Sequence, residues 1–510
     1  MLFNSLTYAG FLPVVFALYW GLDAVLGASP RANADGRVQR AQNLLLVAAS
    51  YVFYGWWDWR FLGLLWLSTG VDFFVGRALG VPGRPETLRR KIMLISVIFN
   101  LGLLGTFKYF NFFVGSLQSA LTGLGLGLDF GTLGVILPVG ISFYTFQSLG
   151  YIIDVHRRVI PPAASALDFA AFVSFFPQLV AGPISRADVL LGQFPHRRIF
   201  RAEAASDALR QILWGLTKKV LIADNIAPTV EHLFAHPAAA DGVTIWATVA
   251  LFTMQLYCDF SGYSDMATGS ARLLGFDLAR NFDRPFFSRS LGEFWRRWHI
   301  SFNSWMRDFV YVPLEMATRR RFIARRKRLQ AAKLPVPTGP SRLESGFNIV
   351  FVFTLSGLWH GAAWTYVLWG FLNGLFLIPS AIRRPPMEVG RVAEGRRLPG
   401  LRELGRMVRT TALIVFTLLF FRAPSVGEAF TLAWQSVTTP WLAIDHGALL
   451  YPATLALVVL AADWMMRTRA HSLELGRLPV AGRWAAYVAL CLGLLVLGSM
   501  QSRDFVYFQF

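Results

Sequence analysis

Apolar residues run along this chain in long, nearly unbroken stretches, with polar ones gathered in the short intervals between them. The apolar runs cover 6–27, 41–57, 61–80, 92–113, 131–153, 208–226, 243–274, 291–314, 346–382, 408–422, 448–466 and 483–500. A membrane-spanning helix needs roughly 20 apolar residues. The pattern therefore predicts an all-α polytopic membrane protein with about ten to twelve transmembrane helices, re-entrant segments among them. Gly and Pro recur inside the runs, as helices that re-satisfy each other's backbone allow. No internal repeat and no low-complexity segment interrupts the pattern, and the chain reads as one domain, 1–510, with its most motif-rich part at about 131–380.

Two polar intervals orient the chain. Residues 315–345 hold Arg319, Arg320, Arg321, Arg325, Arg326, Lys327, Arg328, Lys333 and Arg342 against Glu315 and Glu344, and residues 383–409 hold eight Arg against Glu388, Glu394 and Glu403. Lys and Arg mark cytoplasmic loops, so both intervals are expected on that side. The stretch 346–382 between them must then enter and return, and it is short for two full spans and a turn, which predicts a broken helical hairpin. His360 sits at the break, in LSGLWHGAAW. The same reasoning makes 159–196, with Pro177, Gly182 and Pro183, a re-entrant or interfacial segment. At the N-terminus MLFNSL carries no positive charge and Arg31, Arg37 and Arg40 follow the first run. That predicts an uncleaved first span with its N-terminus extracytoplasmic, in a multi-pass protein of the inner or plasma membrane.

Composition agrees: 55% of residues are hydrophobic and only 15% charged, where soluble domains carry about 25% charged residues. The net charge of +19 would suggest nucleic-acid binding in a soluble protein. Here it lies in loops between apolar runs, so the lipid bilayer is the expected partner and nucleic acid is not. The two cysteines, Cys258 and Cys491, form no CxxC and read as small buried hydrophobes. No metal site is expected.

Chemistry must come from polar side chains inside the apolar runs, where they are costly. Of eight histidines, His156, His196, His232, His236, His446 and His471 fall at run ends or in loops. His299, in FWRRWHISFNSW, and His360 lie beside Trp in apolar surroundings. Imidazole is suited to proton transfer near neutral pH, and Gly357 and Gly361 leave room near His360. A histidine hydrogen-bonding between helices is the other reading of each. Asp259 and Asp265, in YCDFSGYSDMATGSARLLGF, need partners, for which Arg296 and Arg297 are candidates. Tyr144, Gln147 and Asp154, in LPVGISFYTFQSLGYIIDVHR, suit helix–helix contact.

Taken together, QNLLLVAASYVFYGWWDWRF, KYFNFF, LPVGISFYTFQSLGYIIDVHR, FFPQLVAGPISR, YCDFSGYSDMATGSARLLGF, NFDRPFFSRSLGEFWRRWHISFNSWMRDFVYVPL, SGLWHGAAWTYVLWGFLNG and the terminal FVYFQF resemble the membrane-bound O-acyltransferase family in its bacterial polysaccharide branch. The resemblance implies a catalytic role for His360 and for His299, the latter a position that is asparagine in many eukaryotic relatives. It also implies a passage through the membrane to the catalytic histidine. The acyl donor would be a cytoplasmic thioester, acetyl-coenzyme A or another acyl thioester, and no bound cofactor is implied. The acceptor would be an exported polysaccharide such as alginate, served by an extracytoplasmic partner of the SGNH esterase type. The basic interval 315–345 reads as a topology anchor, or as a dock for an anionic donor.

Two other activities fit parts of this pattern. One is D-alanyl or other acyl transfer to a wall polymer, lipid or peptide. The other is a transporter or flippase, which would show inverted repeats and charged substrate sites; neither is evident in the sequence.

Overall fold

The computed structural model describes residues 1–28, 36–128, 130–134, 136–337, 339, 341–383, 392–439, 446–499, 503, 505 and 506. Among them the secondary structure is helical throughout, with no strand. Seven helical stretches are long and apolar enough to cross a membrane: Leu6–Gly27, Arg37–Leu79, Glu86–Gly123, Gly242–Leu273, Leu401–Arg422, Gly447–Met465 and Val480–Leu497. Their outward surfaces are hydrocarbon. None of the spanning window of Val480–Leu497 is buried in the protein, and Phe74, Ile98, Leu495 and Val496 all stand exposed. A surface of this kind is stable against lipid rather than water.

The described chain forms two compact units. The first takes in Met1–Asp224, Cys258–Arg280 and Thr468–Gln509; the second takes in Asn225–Tyr257 and Asn281–Arg467. In the first unit, the helices Leu62–Leu79, Glu86–Leu104 and Ile141–His156 pack against one another. A buried polar knot ties the first two: the Ser96 hydroxyl and the Asn100 amide both donate to the Asp72 carboxylate, at 2.5 and 3.0 Å. Such hydrogen bonds hold helices together where lipid offers no competing partner. Gly76 lets Tyr151 come so close that a methyl group there would overlap its ring.

Several apolar runs resolve differently from their sequence pattern. The runs 41–57 and 61–80 belong to one helical stretch, interrupted at Asp58, whose extended backbone and side-chain cap on the Arg60 amide start the turn Trp59–Phe61. The run 291–314 is divided: helix Leu291–Arg297 ends at Trp298, Ile300–Met306 follows, and a π-helical turn Arg307–Tyr311 leads into Val312–Ala331. The segment 159–196 is a set of short helices, Ala166–Ser174, Phe176–Leu179 and Ala187–Leu190, with a largely buried interior stretch. Cys258 is buried, whereas Cys491 is exposed on the apolar helix Val480–Leu497. Parts of the basic intervals and most of FVYFQF lie outside the described residues.

The second unit contains the expected hairpin. Helix Arg342–His360, capped by Ser341, is followed by a three-residue turn and helix Trp364–Arg383. At 19 and 20 residues the two arms are longer than 346–382 suggested, because each extends past the apolar run into polar residues. They pack tightly because three glycines face the partner arm. A methyl at Gly357 would overlap the Tyr366 carbonyl, one at Gly370 the Phe353 carbonyl, and one at Gly374 would come within 2.7 Å of the Val350 backbone. Close backbone approach through small residues is how membrane helices gain packing energy without a hydrophobic drive.

Candidate functional site

His360 is the last residue of the first hairpin arm and is 5% exposed. The chain leaves the helix there because Gly361 takes an extended backbone, and the Tyr366 ring occupies the place a Gly361 side chain would need. His299 is held by a different device. Ser290 caps helix Leu291–Arg297 by accepting from the Glu293 amide, and the Glu293 carboxylate reaches back past the cap to accept from the Arg289 amide at 2.8 Å. The Arg297 guanidinium reaches Glu293 at 2.7 Å. Asn303 then donates to the Trp295 and Trp298 carbonyls at 2.9 and 2.6 Å, and Ile300 donates to the Asn281 carbonyl at 2.9 Å. Between these fixed points His299 adopts a left-handed backbone, φ 44° and ψ 53°, which a residue other than glycine reaches only at some cost.

The two histidines meet the same aromatic pair. Phe302 and Trp359 stack with centroids 4.1 Å apart and planes 25° from parallel. His299 lies 5.0 Å from Phe302 and 6.0 Å from Trp359; His360 lies 5.7 Å from Phe302 and 4.9 Å from Trp359. On its other sides His360 meets Trp369 at 5.1 Å, with planes at 87°, and Phe421 at 5.7 Å. Trp369 in turn contacts Trp295 at 5.8 Å and Phe421 at 5.1 Å. The fold thus brings His299 and His360, 61 positions apart in sequence, to one ring cluster within the second unit. An imidazole in such surroundings can accept a proton from a hydroxyl and return it to a leaving group.

The aspartates singled out in the sequence belong elsewhere. Arg296 and Arg297 are not the partners of Asp259 and Asp265: Arg297 serves Glu293, and the two aspartates face lysines. In the first unit the Lys219 ammonium sits 2.7 Å from Asp259 and 2.9 Å from Asp224, and Lys218 sits 2.7 Å from Asp265. The Asp259 carboxylate also accepts from the Val506 amide at 2.7 Å. Lys218 and Lys219 were not singled out in the sequence, although two adjacent ammonium groups inside an apolar run carry the signal of a buried network. Three of the run-end and loop histidines are also paired, His471 with Asp207 at 3.0 Å, His446 with Asp241 at 3.2 Å and His156 with Glu86 at 3.4 Å. Asp154, expected at a helix contact, pairs with Arg186 at 3.2 Å, and the Gln147 amide donates to the Phe172 carbonyl at 2.8 Å. Among the described residues no group of three His, Cys, Asp or Glu side chains is placed to hold a metal ion.

Two histidines turned into one buried aromatic cluster make this part of a helical membrane protein a candidate reaction centre. The profile of the membrane-bound O-acyltransferase family matches residues 157–326 and 336–387, which include both histidines. The chain is 37% identical to a probable alginate O-acetylase of Pseudomonas aeruginosa, over 83% of this chain and 72% of that protein. It is 38% identical to a probable alginate O-acetylase of Azotobacter vinelandii, over 73% and 67%. Its identity to a peptidoglycan O-acetyltransferase of Helicobacter pylori is 32%, over 74% and 70%. The chain belongs to the membrane-bound O-acyltransferase family and is a multi-pass membrane O-acyltransferase.

Proposed function

We propose that this enzyme moves an acyl group, acetyl foremost, from a cytoplasmic thioester such as acetyl-coenzyme A toward hydroxyls of an exported polysaccharide, with the whole chain 1–510 working as one acyltransferase. The observation that carries the reading is the convergence of His299 and His360 on the Phe302–Trp359 stack. Relatives named for alginate and peptidoglycan O-acetylation support an exported polymer as the acceptor.

In this mechanism His360 takes the proton of an acceptor hydroxyl as its oxygen attacks the thioester carbonyl carbon. The tetrahedral intermediate collapses, the C–S bond breaks, and the proton passes from the imidazolium to the departing thiolate. The new C–O bond is the ester. The attacking hydroxyl belongs to the polymer or to a nucleophile on an extracytoplasmic SGNH-type partner that completes delivery. His299, on the other edge of the ring stack, acts on the donor side. A positioned base contributes about 10²–10⁴ in rate. His360→Ala should therefore reduce the acetyl content of the exported polymer to background while membrane-inserted protein accumulates as in the parent. Near-normal acetylation in that variant would overturn the assignment.

The orientation that goes with this reading puts the basic intervals in the cytoplasm of the inner membrane and the N-terminus outside. In a variant without Cys258 and Cys491, a cysteine at Gly395 should resist a membrane-impermeant thiol reagent. One at Asn4 should react once the outer barrier is permeabilised. The reverse labelling would reject the orientation.

A further inference from the structure

Acyl transfer needs a donor for the carbonyl oxygen as well as a base. As the hydroxyl attacks, the π electrons of the thioester carbonyl move onto its oxygen, and a fixed hydrogen-bond donor aimed at that developing charge is worth about 10²–10³ in turnover. The ring cluster around His360 contains a neutral donor of this kind. Trp369 is 4% exposed, its ring centroid lies 5.1 Å from the His360 ring, and its buried Nε1 has no hydrogen-bond partner. Indole nitrogen is a donor only, and a buried donor left unmatched costs about 1–3 kcal/mol.

Two neighbours share this condition. Trp295, with its ring 5.8 Å from Trp369, carries a second buried Nε1 without a partner. Asn373, one helical turn beyond Trp369 and fully buried, donates its amide to the Trp369 carbonyl at 2.8 Å and holds its own Oδ1 buried and unmatched. Of the three, the Trp369 donor is the one on a ring in direct contact with His360, which puts an unmatched N–H beside the imidazole.

We propose that the Trp369 indole N–H hydrogen-bonds the acyl carbonyl oxygen next to His360 and stabilises the negative charge that gathers there during transfer. Trp369 is then a catalytic residue, acting on the oxygen while His360 acts on the hydroxyl proton. When the intermediate collapses, the electron pair returns to the carbonyl, the thiolate departs with the proton held by His360, and Trp369 is unchanged. The inference rests on the reading of His360 as the base.

The test replaces Trp369 with 3-benzothienylalanine, which keeps the bicyclic shape and puts sulfur where the N–H was. Membranes of the producing cell are supplied with acetyl-coenzyme A over a range of concentrations, and release of free thiol is followed. The isosteric variant should accumulate normally, lose about 10²-fold in kcat and keep KM for acetyl-coenzyme A within a few-fold. Trp369→Phe should lose kcat similarly. If the isostere turns over like the parent while Trp369→Phe fails, Trp369 only packs and the inference is overturned. His360→Ala, assayed in parallel, separates the two readings. An active His360→Ala variant rejects the base, whereas an inactive one beside an active isostere rejects the tryptophan donor alone.

Discussion

Two regions of this enzyme bury polar side chains, and they do it in opposite ways. In the first unit Lys218 and Lys219 are matched to carboxylates: Lys219 to Asp224 and Asp259, Lys218 to Asp265 and the Ser261 hydroxyl. In the second unit His299 packs against Phe302 and Trp359, and His360 packs against those two rings and against Trp369 and Phe421. Charges answered by opposite charges are committed, because moving either partner exposes the other. An imidazole among rings keeps its proton chemistry available to whatever enters. The first arrangement serves as scaffold and the second suits a reaction centre.

The largest effect that would sharpen this contrast comes from Lys219. Lys219→Met leaves Asp224 and Asp259 buried together without their cation, and breaking a buried pair costs about 3–5 kcal/mol. We expect little folded protein in the membrane, measured as the fraction surviving in a size-exclusion profile after detergent extraction. Adding Asp224→Asn and Asp259→Asn should restore much of the folded fraction, since it removes the two uncompensated buried charges. The rescued triple variant should also acetylate polymer. A triple variant that folds but is inactive would break the comparison and move this network into the chemistry.

A smaller effect concerns the rim of the first unit, where His471 and Arg272 meet Asp207 at 3.0 and 2.8 Å. Burial pulls the Asp207 carboxyl upward, but His471 and Arg272 more than offset this and hold it below its ordinary value. A carboxyl depressed in the folded state adds stability above its unfolded pKa and loses it as pH falls through the folded one. The loss therefore belongs below about pH 4. Asp207→Asn should remove that part of the pH dependence of the detergent-phase melting midpoint. At neutral pH it should cost about 1 kcal/mol or less, as partly exposed pairs do. An unaltered acid limb in the variant would assign the acid sensitivity to other groups.

Much of this was legible in the sequence. Apolar run length gave the polytopic helical class, because spanning a bilayer requires long hydrophobic helices. The Gly-flanked His360 between two basic intervals gave the hairpin and its turn. The neighbours of His360 were not legible: Phe421 comes from a separate helix, and aromatic residues are too common in this chain for any one to stand out. Asp259 and Asp265 pair with Lys219 and Lys218 rather than with Arg296 and Arg297, because the fold and not the sequence spacing sets which cation meets each carboxylate. The division of 291–314 escaped because hydropathy does not register the Asn303 hydrogen bonds and the left-handed residue that end one helix and begin the next.

That left-handed residue has a consequence for the choice of experimental controls. At φ 44°, His299 sits where alanine carries a conformational penalty and a β-branched residue a larger one, while asparagine and glycine are at ease. Any loss in His299→Ala would confound a missing ring with a mis-set peptide. Asparagine at 299 removes the imidazole yet leaves the backbone comfortable, so His299→Asn beside His299→Ala separates what the ring does from what the bend requires.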